Sequence, residues 1–477
     1  MLVPGRGLHL RCWMRRLLTT IISGTLIVGA IRIVPPFGRL LLTIAFIQGF
    51  QYCMSSPSFL CVPYRYKAGA LYSQVPSSGL GDFTVVRAAS NSATRVNAQG
   101  FIETVADNVP RLDYPIGGIV AGCPSLLVEP AATNGIRNNS MVGAVAGSPG
   151  NLPTNWSNAG SGLTRQSIVT GTLNGIPYVD IRISGTANNT FHDVFWDANN
   201  IIAASVGQNW VASCYLQIIA QPNPPAGYAL AMREFNSGGG FLSVFTGPAL
   251  SISTTSFDRF SFTRALNQAT VAFVHPSLFF GLVSGQTYDF TIRIGYPQME
   301  IGSVTTSVIH TTTAAINRGA DVINKTGVSG LIGQTEGTMY VEFEYRTDMS
   351  TRRILAISDG SQLNRVFLYF AAGSIVAGIQ AGTMTVGTPV VGFNKVAFGY
   401  IQNGVSGILT ASLNGGAVVS GTSATYPASL NTVNVGKVED TGTGSVINSR
   451  IRAFAFYPTR IPNTAPLGVL SLQSLTQ

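Results

Sequence analysis

Histidine is scarce, with four in 477 residues. That excludes a metal centre built on several imidazoles as the basis of function. Charge is scarce too: only 10% of residues are Asp, Glu, Lys or Arg. The net charge of +9 sits almost wholly at the start, where residues 1–81 carry eight basic side chains and no acidic one. The rest of the chain has 21 basic and 20 acidic groups, a net +1. It offers no basic stripe for a phosphate backbone, so nucleic acid is set aside as a partner. The five cysteines, Cys12, Cys53, Cys61, Cys123 and Cys214, are odd in number and contain no C-x-x-C pair. Zinc-ligand spacing is absent and a disulfide-stapled secreted fold is not indicated, although Cys53 and Cys61 are close enough in sequence to pair. The plain reading is a few buried thiols. There is no G-x-S-x-G elbow, no phosphate-binding G-x-x-x-x-G-K-[ST] loop and no H-E-x-x-H.

What is present is 45% hydrophobic residues and 53 glycines, with abundant Ser, Thr, Asn and Val. That composition excludes coiled coil, collagen and wholesale disorder. It suits β-sheet with many tight turns. The length accommodates two to four domains at about 100–200 residues each.

Residues 1–61 form a basic, hydrophobic leader. Two apolar runs, 17–31 and 40–50, are separated by Arg32, Pro35, Pro36 and Arg39. Neither reaches the ~20 residues of a clean spanning helix. The leader reads either as a signal or membrane anchor, or as an upstream extension with Met54 as the true start. Residues 62–135 are punctuated by Pro and Gly, with short strand-like pieces such as FTVVR at 83–87. Residues 136–150 read as a linker.

Residues 151–312 carry seven or more short strands with turn signals between them, including PYVDIRISG, WVASCYLQII, YALAMREF and YDFTIRIGYPQMEIG. That spacing predicts a β-sandwich. Residues 320–460 form a second strand-rich block, from Gly337–Tyr345 through Phe367–Phe370 to Ser449–Tyr457. Residues 461–477 read as a short C-terminal extension. The fold class is all-β: tandem antiparallel sandwiches of jelly-roll type after an irregular N-terminal region.

One string in that N-terminal region is distinctive. Tyr66-Lys67-Ala68-Gly69 leads to Gly81-Asp82-Phe83-Thr84-Val85-Val86-Arg87, then to Ala93-Thr94-Arg95-Val96-Asn97 and Gly100-Phe101-Ile102-Glu103. It ends in Asn108-Val109-Pro110-Arg111-Leu112-Asp113-Tyr114 and Cys123-Pro124-Ser125-Leu126-Leu127-Val128-Glu129-Pro130. Over roughly 63–134 this resembles the N-terminal region of bacteriophage virion proteins of the tail-fibre and head-fibre type. The stretch Tyr296–Ser307 is similar to the last strand of carbohydrate-binding jelly rolls in such fibres. The 320–460 block resembles a concanavalin A-like (laminin-G-like) jelly roll. The resemblance implies a virion protein that attaches through residues 62–135 and turns its sandwiches to the host. Its implied partners are host cell-surface polysaccharide and other virion proteins, and its implied assembly is a homotrimer.

Sugar binding needs an aromatic face for the apolar side of a pyranose and polar groups for its hydroxyls. The 151–312 block holds Trp156, Trp196 and Trp210, three of the four tryptophans. The segment Phe191-His192-Asp193-Val194-Phe195-Trp196-Asp197 is the densest in aromatic and polar groups. Trp196, His192, Asp193, Asp197, Trp210, Arg233 and Asn236 are therefore the candidate glycan contacts, with Asn199, Asn200 and Glu234 nearby. Asp359, Asn364 and Arg365 are weaker loop candidates. No cofactor is expected, and a structural calcium is the one ion left open, at Asp193 and Asp197. Glu342 and Glu344 sit two apart on one strand and read as a solvated face, not the carboxylate pair of a glycosidase.

The reading is a non-enzymatic fibre or spike component that binds host glycans. Its alternatives are a glycan depolymerase on the C-terminal jelly roll and a membrane-anchored lectin.

Overall fold

The computed structural model describes residues 56–477 apart from 63–65, 68–69, 72–73, 77–78, 89–92, 161, 198–201, 347–351, 438–445 and 466–468. The leader's apolar runs, Met54, Asn199 and Asn200 lie outside the described residues. Among the described residues no helix is long and apolar enough to cross a membrane.

The fold is all-β, and its larger sheets are antiparallel. It divides into two compact units. Of the described residues, one unit holds Thr84–Ile323 with the short return up to Arg450; the other gathers those from 56 to 83, Asn324 to 437 and Ile451–Gln477. The N-terminal region expected to be one piece, 62–135, is thus shared between the two.

In the first unit two sheets form a sandwich. The front sheet runs in the order Ser157–Gly160, Phe191–Phe195, Phe273–Gly281, Gly227–Phe235, Phe241–Thr246, with Ile202–Ala203 paired to Phe273–Gly281. The back sheet runs Leu163–Leu173, Ile176–Thr186, Thr287–Ile301, Asn209–Asn223, Asp258–Ala265. Side-chain alternation explains the packing, because successive residues of a strand point to opposite faces. Tyr228, Leu230 and Met232 of the front sheet enter a core with Val194, Leu278 and Phe280. Val179, Ile181, Leu216, Phe290, Ile292 and Ile294 enter it from the back sheet.

Around this sandwich Thr84–Asn134 contributes short hairpins, Thr94–Val96 with Ile102–Thr104 and Arg111–Asp113 with Ser125–Val128. They are too small to hold a core of their own. A buried ionic cluster helps to hold them. Arg318 donates to Glu129 at 2.6 Å, Arg87 to Asp321 at 2.9 Å, and Arg111 lies 2.7 Å from Glu129 and also bonds Asp321. Burial pushes the Glu129 carboxyl up, but Arg318 and Arg111 together pull it well below the usual carboxylate range.

Residues 136–150 are not the free linker that their composition suggests. Ile136, Asn138, Asn139 and Met141 are buried. Asn139 and Thr311 bond each other twice, at 3.0 and 2.8 Å, and the Trp156 indole donates to the Asn138 carbonyl at 2.9 Å. Asparagine side chains here replace a sheet ladder as partners for buried backbone.

The second unit is also a two-sheet sandwich. One sheet runs Val419–Ser423, Ser406–Leu413, Gly392–Asn403, Glu336–Tyr345, Ser449–Tyr457, with Phe59–Cys61 paired to the last of these. The other runs Gly382–Gly387, Ser374–Ile379, Arg365–Ala371, Arg352–Ser358, Thr432–Val435. Phe59, Phe83 and Phe454 meet at centroid distances of 5.5–6.0 Å. The C-terminal extension does not trail away. Ile461, Leu472 and Leu475 are buried against Tyr340, Ala397, Ala455 and Tyr457. A single helical turn, Leu472–Leu475, holds them there, closed by a Ser471–Ser474 capping box. Cys61 and Cys214 are buried, and Cys123 is disulfide-bonded, which the expectation of a few buried thiols did not foresee.

Candidate functional site

The outward face of the front sheet carries an unusual load of rings. Strand alternation turns Phe191, Asp193 and Phe195 outward from one strand, His275, Ser277 and Phe279 from the next, and Arg233 and Phe235 from the third. Phe191, Phe195, Phe279 and Phe235 are half-buried. At the margin Phe241 is 58% exposed and Val244 41%. An aromatic surface left open to water is the feature of this unit that needs explaining.

At its centre is a neutral polar clamp. Arg233 reaches across Ser277 to Asp193, donating at 3.1 Å from Nη1 to Oδ1 and at 2.6 Å from Nη2 to Oδ2. Arg233 Nη1 also donates to Ser277 Oγ at 2.9 Å, and Ser277 donates to Asp193 Oδ1 at 2.8 Å. Burial pushes the Asp193 carboxyl up, opposed by Arg233 and Ser277. The guanidinium lies 4.9 Å from the Phe195 ring centre and 5.9 Å from that of Phe191. Phe191 and Phe279 stack at 6.1 Å with planes 15° apart. His275 sits 4.9 Å from Phe235 and 6.5 Å from Phe195. The result is a ring-lined surface over a largely buried charge pair that is cancelled and fixed in place.

Of the residues expected from sequence, the structure brings Asp193 and Arg233 together here. The others are placed elsewhere. His192, of opposite parity on that strand, and Trp196, just past its end, point into the core, both fully buried. Trp196 therefore presents no ring face to a ligand. Burial lowers the His192 imidazole to about 4, and neither ring nitrogen has a hydrogen-bond partner. Trp210 is also core and donates to Gln208 at 3.1 Å. Asp197 is held by Arg137 at 2.6 Å. Asn236 accepts from Gly238 and Gly240 and so closes its own turn. The calcium reading of Asp193 and Asp197 fails for the same reason: both carboxylates already face arginines. Among the described residues no group of three or more His, Cys, Asp and Glu could hold a metal ion.

In the second unit Asp359 and Asn364 are bonded to each other at 2.9 Å, and Gln380 donates to Asn364 at 3.0 Å. Arg365 lies 4.5 Å from the Phe367 ring centre. Asp359 and Asn364 thus hold the loop closed on itself. Glu342 is paired with Arg452 at 2.9 Å, and that guanidinium covers the Phe393 ring at 3.3 Å.

Sequence reasoning named the segment holding Phe191 and Phe195 without counting those two as contacts, and it missed Phe235, His275, Ser277 and Phe279. The alternation Phe-x-Asp-x-Phe at 191–195 carried the signal for the first two. Nothing in sequence told that the tryptophan's face was the inner one.

No family model and no curated protein matches the chain. Solved structures do match. The carbohydrate-binding module (CBM40) of a Ruminococcus gnavus sialidase, bound to α2,3-sialyllactose, is 17% identical, covers 30% of this chain and 83% of its own, and has a TM-score of 0.24. The tripod from the baseplate of bacteriophage Tuc2009 is 14% identical, covers 72% of this chain and 98% of its own, and has a TM-score of 0.27. A Trypanosoma rangeli sialidase is 8% identical, covers 83% of this chain and 76% of its own, and has a TM-score of 0.25. At such scores the likenesses carry no argument about activity. The matching structures include sialidases as well as carbohydrate-binding modules, so the non-enzymatic expectation is withdrawn and no activity is put in its place.

Proposed function

We propose that this protein binds glycans through the outward face of its front sheet. The observation that carries the reading is the neutral Arg233–Asp193–Ser277 clamp framed by half-exposed Phe191 and Phe195. A pyranose has an apolar C–H face and an equatorial rim of hydroxyls. Rings of this kind accept the first, and a fixed guanidinium edge accepts the second. Because Arg233 is already neutralised, an anionic sugar gains little here, and neutral glycans are the better ligand class.

The resemblance of residues 63–134 to phage fibre proteins supports a place in a virion, with host-surface polysaccharide as the target. On that reading several chains, three for a trimeric fibre, would present the face together, and weak sites would add by avidity.

The experiment is a glycan array on the full chain, with Phe195→Ala and Trp196→Ala alongside. Phe195→Ala should abolish binding while the protein still folds. Undiminished binding by Phe195→Ala and Phe191→Ala would overturn the assignment.

A further inference from the structure

The back sheet of the same sandwich repeats the arrangement with different residues. Asp180, Arg293 and Gln217 lie in one row across three neighbouring strands, all on the outward face. Arg293 donates to both carboxylate oxygens of Asp180, at 2.8 and 3.0 Å. Its guanidinium lies 3.7 Å from the Tyr178 ring centre and 6.0 Å from that of Phe257. Tyr178 and Phe257 meet nearly at right angles, 6.3 Å apart.

Two glycines make room for these rings. Gly171 and Gly295 are the strand neighbours of Tyr178 on either side. A Cβ at Gly171 would lie 2.4 Å from the Tyr178 hydroxyl oxygen, and one at Gly295 would lie 2.7 Å from Phe257. The rings therefore lie over the sheet, not up from it. Tyr178 and Phe257 are half-buried, and Val169, the partner of Asp180 on the same face, is exposed.

Polar capacity is left over at this spot. Arg293 Nη1 reaches Gln217 at 3.5 Å, at the limit of a hydrogen bond, and the guanidinium is also engaged by the Tyr178 hydroxyl. Each Asp180 oxygen accepts one bond from Arg293 and keeps a lone pair. A carboxylate and a guanidinium fixed side by side beside a tyrosine ring match a pair of vicinal hydroxyls and the C–H face behind them. The pair is again neutral.

We infer that the Tyr178–Arg293–Asp180–Gln217 surface is a second binding site for neutral oligosaccharide, on the opposite face of the domain from the first. The inference rests on the front-face reading for its ligand class but not for its residues. One sandwich would then hold two glycan strands at once.

The test is calorimetric titration of the full chain with neutral hexasaccharides of glucose, xylose and mannose, counting sites. Two sites per chain are expected with the oligosaccharide that binds. Tyr178→Ala should remove one and Phe195→Ala the other. Gln217→Ala, at a position that fills no core, should weaken the back-face site about tenfold with an unchanged melting temperature. A single site lost in Phe195→Ala and untouched by Tyr178→Ala and Gln217→Ala overturns this inference and leaves the front-face reading standing. Absence of binding to every hexasaccharide overturns both.

Discussion

Arg87 and Asp321 are separated by 234 positions in the chain and joined by a buried hydrogen-bonded pair of 2.9 Å. Asp321 also receives Arg111, whose other partner Glu129 receives Arg318. Three guanidiniums and two carboxylates thus tie the hairpins of Thr84–Asn134 to the strand that leaves the sandwich. Hairpins of three or four residues a side cannot stand alone in water, so this cluster is one of the ties that order them.

Asp321→Asn leaves Arg87 and Arg111 buried with half their compensation. The expected loss is about 3–5 kcal/mol of stability, the usual cost of breaking a buried pair from one side. Urea unfolding measures it. Asp289→Asn, which breaks the solvent-exposed pair with Arg182, is the control and should change nothing resolvable.

His192 sets a pH dependence. Its imidazole titrates at about 4 in the folded protein against an ordinary 6.5, lowered by burial. The folded state binds fewer protons across that window. Stability from this group is therefore complete above pH about 6.5 and lost as pH falls toward 4, by about 3 kcal/mol in all. His192→Leu should flatten a plot of melting temperature against pH between those values. Asp193, raised by burial, acts in the opposite sense, so the difference between the two proteins isolates the histidine.

Strand positions were largely legible in sequence because period-two alternation is dense in both blocks. The expected Ser449–Tyr457 strand is the observed one, and YALAMREF at 228–235 falls within Gly227–Phe235. The inward or outward sense of a strand was less legible. At 191–197 both parities are aromatic, Phe191 and Phe195 on one side and Trp196 on the other. Only the partner strands decide which side meets the core. Residues 136–150 misled for a different reason. Their Asn, Gly and Ser look like linker, yet Asn138 and Asn139 serve as buried partners for backbone. The ionic cluster joins positions too far apart for any local pattern to show.

Trp196→Ala should behave as a core deletion. The side chain is fully buried, and its removal is expected to cost about 3–5 kcal/mol without a specific effect on ligand. Chemical denaturation with a binding assay at a permissive temperature separates the two effects.

Leu472→Ala tests the role of the tail. Leu472 is fully buried in the cluster with Tyr340 and Tyr457. Truncation should cost about 2–5 kcal/mol and speed proteolysis of the last residues, read by limited digestion and mass spectrometry.

The central claim is that the outward face around Arg233 binds neutral glycan. The most direct measurement is the affinity of the full chain for the glycan that a neutral-sugar array selects, compared between wild type, Phe195→Ala and Trp196→Ala. The account expects Phe195→Ala to melt like wild type and to lose binding. It expects Trp196→Ala, held below its own lowered melting point, to bind normally. Normal binding by Phe195→Ala together with loss in a folded Trp196→Ala would contradict it.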